Sequence, residues 1–508
     1  MKRYWLAFPA GMAVVWALIA QTDNSWPMAG HDVLNTRSQP GETAIGPSNV
    51  GSLKSRWAFK SGGDLSATPA VVGDAIFFPD WTGSLYSVQK TNGKLIWVHR
   101  ISEYDGVQGS LSRVTPALYQ DNLILGDQLT PDRKVHNGTN VFSVNRLTGV
   151  LNWITQVDTQ GAAQITGSPV IMGDVVYVGV SSNEEALATD DSYPCCTFRG
   201  SMVALNAATG KILWKTYTVP DNHGQLAGYS GGAIWQPPAI DAQRGLLFVG
   251  TGNNYTVPPD VLLCQEEFPS GTCTEPDDYY DSAVAFNLTT GKIQWSHRLE
   301  GADTWTVACK SQPIGKNCEL PSSPDYDFSG SGPNRVGNII GFGQKSGVYW
   351  ALNPDNGAIV WTAMVGPGST LGGLEWGTAT DGSRIYAAIT NGDKLPYKLM
   401  NGQTITWGAW SAIDVNNGDI LWQTPDPVAG GLALGAVTVA NGVVYAGSSN
   451  GHMYGMDSGS GKILFDFPSR GTVVDSPAIA DGIVFWGSGY SHIMGFTGNN
   501  EMIAFSLP

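Results

Sequence analysis

A short unit that ends in tryptophan recurs along almost the whole chain of 508 residues. In the copy at residues 204–214, Ala-Leu-Asn is followed by a turn that closes with Gly210, and a second apolar stretch ends at Trp214. A turn with glycine at positive φ joins two antiparallel strands, so each copy predicts a β-hairpin. The closing aromatic residues of the copies are Trp97, Trp153, Trp214, Trp295, Trp361, Trp422 and Phe465. Such a series predicts a repeat architecture.

The repeat also predicts the number of blades. A second pattern around a proline, as at residues 66–74 and 167–174, precedes several hairpins, and two hairpins make a four-stranded blade. Such a blade cannot bury both faces alone, and closure into a ring protects its edges. Residues 53–57 and 502–507 are single strands without a hairpin partner, so we expect them to complete an eighth blade together. The predicted fold is all-β: one eight-bladed β-propeller over residues 21–508, closed by its terminal strands.

Composition agrees with a closed β fold and limits the partners. The chain has 64 Gly and few charged residues, 28 Lys+Arg and 43 Asp+Glu, which argues against disorder, a coiled coil or a mainly helical protein. A formal net charge of −15 disfavours binding to a phosphate backbone or an anionic lipid face. We therefore expect no nucleic-acid partner.

The first 20 residues have the pattern of a secretory signal peptide. Lys2 and Arg3 precede an apolar stretch at residues 4–19, and small residues at 17 and 20 offer an imperfect cleavage point. We expect an exported protein, periplasmic or secreted, with no membrane span after cleavage. An uncleaved anchor is the alternative.

Export implies an oxidising compartment, so we expect the six cysteines to be paired. Fifteen pairings are formally possible. The simplest set has one bond between adjacent cysteines and two local loops, namely Cys195–Cys196, Cys264–Cys273 and Cys309–Cys318.

The repeat at residues 204–214 resembles the tryptophan-docking repeat of the quinoprotein alcohol dehydrogenases, whose cofactor is pyrroloquinoline quinone (PQQ). Residues 26–32, followed by Asn-Thr-Arg at 35–37, are similar to the mature N-terminus of that family. The position of Cys195-Cys196 resembles the polyvinyl-alcohol dehydrogenase branch. The resemblance implies PQQ and Ca²⁺ as cofactors and an alcohol or polymeric alcohol as substrate. A non-catalytic exported scaffold with the same repeat is the alternative.

The resemblance also implies cofactor and metal residues. Thr166 is followed 18 positions later by Glu184, which ends the turn Ser181-Ser182-Asn183, and this pattern resembles the family's cofactor and calcium contacts. We expect Glu184 as a metal ligand and Glu185 as its competitor.

Trp235 and Asn253 show the same separation of 18 residues. In the family, such a Trp is the floor on which the quinone stacks, and the Asn offers an amide oxygen to calcium. A core Trp and a turn Asn are the alternative. Lys345 occupies the place of a residue that contacts the quinone oxygens, and Arg113 resembles a partner of a cofactor carboxylate. The Cys195–Cys196 ring is expected to cover the quinone, unless these cysteines pair elsewhere.

Several positions depart from the family pattern. Ser66 replaces a glutamate, an aromatic residue is missing near 432–434, and the catalytic aspartate position is Thr306. We expect Asp303 to serve instead as base and metal contact, and Ala308 favours calcium over a lanthanide.

In the implied mechanism, Ca²⁺ polarises the quinone carbonyl and Asp303 takes the alcohol proton as hydride leaves. No Cys-x-x-Cys-His motif is present, so we expect no covalent haem and electron transfer to a soluble cytochrome c or another acceptor.

Overall fold

Eight four-stranded antiparallel sheets follow one another along the chain in the computed structural model. The structure describes residues 24–128, 137–269, 273–298, 301–321, 326–328, 330–493 and 495–508. The strands of blades 1 to 4 are Ala70–Val72, Ala75–Pro79, Ser84–Gln89 and Leu95–Arg100; Ala117–Tyr119, Asn122–Gly126, Thr139–Asn145 and Leu151–Asp158; Val170–Met172, Val175–Ser182, Ser201–Asn206 and Ile212–Tyr217; and Ala239–Asp241, Leu246–Gly250, Ser282–Asn287 and Ile293–Arg298.

The second half of the chain repeats this arrangement and closes it. The strands of blades 5 to 8 are Asn334–Val336, Ile339–Gly343, Val348–Leu352 and Ile359–Met364; Ala379–Thr380, Arg384–Ile389, Ala409–Asp414 and Ile420–Pro425; Val437–Ala440, Val443–Gly447, His452–Asp457 and Ile463–Pro468; and Ala478–Ala480, Ile483–Ser488, Glu501–Ser506 and Lys54–Lys60. The N-terminal strand thus pairs with the C-terminal strand, with Trp57 opposite Ala504. The predicted eight-bladed β-propeller is confirmed.

Few elements lie outside the blades. Ala163–Gln164 extends blade 3, Ser38–Gln39 lies parallel to Val437–Ala440, and two small sheets pair Ser230–Gly231 with Asn254–Thr256 and Tyr397–Lys398 with Thr404–Ile405. The described α-helices are Ser102–Asp105, Glu184–Leu187 and Pro259–Glu267, and the described 3-10 helices are Val50–Ser52 and Val307–Lys310. Within the described ranges, no helix has both the length and the apolar character that a bilayer span requires. The predicted signal peptide, residues 1–20, lies outside these ranges, so export stays a prediction.

The repeat tryptophans join each blade to the next. The indole Nε1 of Trp153 on blade 2 donates to the carbonyl oxygen of Ala207 on blade 3 at 3.0 Å, and Trp214 makes the same bond to Leu288 on blade 4. Trp57, Trp97, Trp295, Trp361 and Trp422 repeat this contact at 2.9–3.1 Å. Blade 7 has Phe465 instead, whose ring meets Phe505 of blade 8 edge-on. The core therefore lies between neighbouring blades.

The glycine that closes each hairpin turn has two functions. Gly210 has φ of 72°, and a Cβ placed there would lie 2.4 Å from Cε3 of Trp153. Glycine is therefore required both by the backbone conformation and by the indole ring packed against it.

Gly210→Ala should destabilise the protein more than Gly173→Ala. Gly173 in the same blade has φ of 59°, but a Cβ there would have no neighbour within 4 Å. Gly173→Ala should therefore cost only the left-handed backbone strain, about 1 to 2 kcal/mol. Displacement of the Trp153 ring should add about 1 to 3 kcal/mol at Gly210. Urea unfolding followed by circular dichroism measures both; equal losses would show that the ring contact contributes nothing.

Candidate functional site

A cavity of about 280 Å³ lies where loops from blades 2 to 8 meet, and therefore on the propeller axis. Its volume is near the lower end of small-molecule sites. Of the residues selected from the sequence, those that line it are Arg113, Thr166, Ser181, Ser182, Asn183, Trp235, Asn253 and Lys345. Glu184, Cys195, Cys196 and Asp303 are not among its lining residues. Of the acids that line the cavity, Glu185, Asp327 and Glu375, only Glu185 was named from the sequence, as the competitor of Glu184.

Trp235 forms an aromatic wall of the cavity beside a cation. The Nζ atom of Lys345 lies 5.5 Å from the centroid of the Trp235 ring. Gly330 packs so closely that a Cβ there would lie 3.1 Å from Cη2 of the indole. Thr166, on the same wall, shares a hydrogen bond of 2.8 Å with the hydroxyl of Ser181. The wall therefore combines a flat apolar face with hydroxyl groups and a positive charge.

Lys345 forms a buried ion pair with Asp327 inside the cavity. The distance from Nζ to Oδ2 is 2.7 Å, and the side chains are only 10% and 4% exposed. The other carboxylate oxygen of Asp327 accepts the backbone N–H of Asn253 at 2.8 Å. Asp327 was not selected from the sequence, although it lies 18 residues before Lys345, the separation that marks Trp235 and Asn253. That spacing is the signal that could have identified it.

Asp303, the predicted base, is fully buried behind this wall. Its Oδ2 atom accepts the backbone N–H of Tyr326 at 3.0 Å, and its backbone carbonyl accepts the N–H of Asn254. Thr306 is also buried and donates to the carbonyl of Asn317 at 2.8 Å. The role of Asp303 as base and metal contact stays a prediction; Asp327, unlike Asp303, is among the residues that line the cavity.

Two adjacent glutamates have different surroundings. The carboxylate of Glu184 is buried and accepts the backbone N–H groups of Thr197 and Phe198 at 2.8–3.0 Å and the hydroxyl of Tyr193 at 3.1 Å. Burial raises the pKa of Glu184, and these hydrogen bonds oppose that shift. Glu185 lines the cavity instead. Metal binding by Glu184 stays a prediction; the geometry favours Glu185.

Asn253 presents an oxygen to the cavity. Its Nδ2 group donates to the backbone carbonyls of Asn254 and Trp305 at 2.8 and 2.7 Å. Both amide hydrogens are therefore used, and the oxygen is the side-chain atom left for a ligand. With Glu185, the cavity has the carboxylate and neutral oxygens that a hard cation prefers.

Arg113 lies among three aromatic rings at the edge of the cavity. Its guanidinium carbon is 5.4, 5.0 and 5.7 Å from the ring centroids of Trp81, Trp376 and Tyr490. Among the described residues, no carboxylate forms an ion pair with it. A cation in this position suits an anionic group of a ligand, because charge-assisted bonds to planar carboxylates are strong.

The three disulfides pair as the simplest scheme predicts. Cys196 is fully buried in the core between blades, and Cys195 packs beside it. Neither sulfur belongs to the cavity lining, so the expected cover over the quinone stays a prediction.

Two departures from the family pattern are visible in the walls. Leu434 gives an aliphatic wall where an aromatic residue is missing, while Trp376 contributes an aromatic ring from another blade. Trp376 has φ of 61°, a conformation that bulky residues rarely adopt and that concentrates at functional sites. Ser66 accepts the indole N–H of Trp81 at 2.8 Å, outside this cavity.

Comparisons with known proteins match this chain over most of its length. Residues 26–319 match the family model of the glucose/ethanol/alcohol dehydrogenase β-propeller domain. The polyvinylalcohol dehydrogenase of a Pseudomonas species is 31% identical, over 88% of this chain and 68% of the relative. The chain belongs to the PQQ-dependent dehydrogenase family. A polyvinylalcohol dehydrogenase of Sphingopyxis is likewise 31% identical, over 87% of this chain and 67% of the relative.

Two further similarities concern the fold of this PQQ-dependent dehydrogenase. The crystal structure of quinohemoprotein alcohol dehydrogenase from Comamonas testosteroni has a TM-score of 0.69 and 18% identity, covering 95% of this chain and 80% of that one. Residues 408–506 match the model of the outer membrane protein assembly factor BamB. Trp235, Asn253 and Lys345 lie outside that match, so it reflects the shared repeat.

The donor set of the dehydrogenase fits PQQ, which is flat and carries three carboxylates. Trp235 offers an aromatic face, and Arg113 and Lys345 supply cations. The hydroxyls of Thr166 and Ser181 complete a polar rim.

Glu184→Gln should destabilise the apo-protein more than Glu185→Gln. The first change places an amide NH₂ against backbone N–H donors, and each hydrogen bond to a charged group contributes about 1.5–3 kcal/mol. We expect a loss of about 2 kcal/mol in unfolding free energy for Glu184→Gln in urea without PQQ or metal. The neighbouring variant is the matched control. If both variants unfold at the same urea concentration as the wild type, Glu184 does not hold residues 195–198 as described.

Proposed function

We propose that this dehydrogenase oxidises alcohol groups with PQQ and Ca²⁺ and passes the electrons to an external acceptor such as a cytochrome c. The observation that carries the proposal is the convergence of Trp235, Lys345, Asp327 and Asn253 on one axial cavity. When bound, PQQ supplies the acceptor for the hydride that leaves the carbinol carbon, and Ca²⁺ supplies a Lewis acid.

Asp327 is the base in this proposal. It lines the cavity, and its position is fixed from both sides by the N–H of Asn253 and the ammonium group of Lys345. A base must reach the proton that it removes. Asp327 is paired with Lys345, whose Nζ lies 5.5 Å from the centroid of the Trp235 ring. The alcohol hydroxyl transfers its proton to the carboxylate of Asp327. Lys345 balances the buried charge before that transfer.

Glu185 and Asn253 would hold the calcium ion. Both line the cavity, and they offer a charged and a neutral oxygen ligand. Glu184 lies one residue away, but its oxygens accept hydrogen bonds from the 195–198 backbone. The role of Glu184 in this proposal is to position residues 195–198.

The proposed substrate is a secondary alcohol, such as the hydroxyl groups of polyvinyl alcohol. The support is the name of the Pseudomonas and Sphingopyxis relatives, together with an open cavity whose walls include Leu371, Leu434 and Ile493. Apolar walls suit a hydrocarbon chain that carries isolated hydroxyl groups.

Asp327→Asn should lower kcat by about 100-fold or more, the usual contribution of a general base. The assay is dye reduction with PQQ, Ca²⁺ and either secondary alcohols or polyvinyl alcohol. PQQ binding, followed by its absorbance, should persist in the variant, which separates the loss of a base from the loss of a site.

Asp303→Asn is the matched control, with folding verified by circular dichroism. It should keep kcat within a few-fold of the wild type. Loss of turnover in Asp303→Asn with turnover retained in Asp327→Asn would instead assign the base to Asp303. Absence of turnover in the fully loaded wild type would contradict the proposed substrates.

A further inference from the structure

A second, smaller chamber of about 60 Å³ adjoins the cofactor cavity. The two share four lining residues, Arg113, Thr166, Gln236 and Trp376. The other lining residues include Arg37 from the N-terminal segment, Ser66 and Asp475 from the loops of the first and last blades, and Ser168 from blade 3. The chamber is therefore a side branch of the same axial opening.

Arg37 is buried in this chamber with few partners. It is 4% exposed, and its guanidinium group makes one long hydrogen bond, to Oγ of Ser476 at 3.4 Å. Its Nε atom is buried and has no hydrogen-bond partner among the described residues. Burial lowers the pKa of Arg37 to about 10, so the group stays charged near neutral pH. In the part of the chain that the structure describes, no carboxylate lies within ion-pair distance of it.

The backbone packs against this guanidinium and holds it in place. A Cβ at Gly377 would lie 2.4 Å from Nε of Arg37, so only glycine permits the contact. Arg37 itself has φ of 49°, an uncommon conformation for a residue with a side chain. The guanidinium group is therefore in close contact with the backbone at Gly377 and is buried away from solvent.

The other charged groups that face the chamber are Arg113 and Asp475. Arg113 adds a second positive charge. Asp475 is 2% exposed, and its Oδ2 accepts the N–H of Gly487 at 3.1 Å. Within the described ranges, its Oδ1 has no hydrogen-bond partner. Burial raises the pKa of Asp475 well above its usual range, which favours the neutral carboxyl group. A neutral carboxyl donates a hydrogen bond rather than compensating a cation.

Two hydroxyl groups also have hydrogens available to the chamber. Ser66 accepts from the indole of Trp81, and Ser168 accepts the N–H of Thr115 at 3.0 Å, so the hydroxyl hydrogens of both serines remain for another acceptor. A buried charge without a counter-charge costs several kcal/mol. Water alone would satisfy the donors but would leave both guanidinium charges uncompensated.

We propose that this chamber binds a small inorganic anion of the halide class, held by Arg37 and lying beside the PQQ cavity. The volume of about 60 Å³ is sufficient for one monatomic anion together with water. The site does not require cofactor or turnover, and it exists in the apo-protein.

The test compares thermal unfolding of the apo-protein in sodium chloride, bromide and gluconate at equal ionic strength. Gluconate is a bulky organic anion at the same ionic strength, so it controls for general screening. Chloride and bromide should raise Tm in a saturable way relative to gluconate, because a ligand of the native state shifts unfolding by mass action. Arg37→Gln should abolish the difference. Arg56→Gln, an exposed arginine on blade 8, should keep it.

Asp475→Asn tests whether the negative charge in the chamber comes from a bound halide or from the carboxylate of Asp475. Because the amide also donates a hydrogen bond, the halide effect should persist in this variant. If the wild type shows no halide effect and Asp475→Asn acquires one, the carboxylate of Asp475 is the resident anion and the proposal is overturned. Loss of the halide effect on loading with PQQ would also overturn it, because the chamber would then belong to the cofactor.

A crystal structure of the wild-type protein, grown or soaked in bromide, tests the proposal even if Arg37→Gln does not fold. An anomalous peak next to Nε of Arg37 is the expected result. Water density alone in the chamber, with no halide-specific change in Tm, would overturn the proposal.

Discussion

The contact between an indole ring and the hairpin glycine of the next blade is the interaction on which this molecule depends. Each such joint combines apolar packing with a hydrogen bond from the indole N–H, as between Trp153 and the Ala207 carbonyl. A single blade has two faces to bury, and the joint buries one against its neighbour. Seven joints are of this kind, and the blade with Phe465 is held by the paired chain ends instead.

Closure of the ring explains how the axial cavity is assembled. Residues far apart in sequence, such as Arg113 and Lys345, meet because every blade directs loops toward the same axis. Loops on a rigid scaffold commonly carry function for this reason. The interior that results has unusual electrostatics: Lys345 is paired with Asp327, whereas Arg113 and Arg37 have no carboxylate partner among the described residues. A bound anion beside Arg113 or Arg37 would therefore compensate a positive charge that no described carboxylate balances.

The sequence predicted the fold and much of the cavity, because both follow from short periodic patterns. Trp235, Asn253 and Lys345 lie in loops that adjoin strands of the repeat, and all three line the cavity. The acids were harder to predict. Glu184 and Glu185 begin a helical turn, in which successive side chains point about 100° apart, so spacing alone does not tell which one faces inward.

Asp327 lies beyond the loop closed by Cys309–Cys318, whose path is set by tertiary contacts and not by the repeat. Irregular loops of this kind carry no periodic signal. The separation of 18 residues between Asp327 and Lys345 is the feature of the sequence that could have identified Asp327.

Equilibrium binding of PQQ to the apo-protein with Ca²⁺, monitored by quenching of tryptophan fluorescence, tests the assignment of the axial cavity to the cofactor. One PQQ should bind per chain. Arg113→Gln should weaken binding by about 10- to 100-fold, the equivalent of one lost charge-assisted bond, while Arg56→Gln should leave it unchanged. Binding that is unaffected by Arg113→Gln, or no binding at all, would contradict the assignment of the axial cavity to the cofactor.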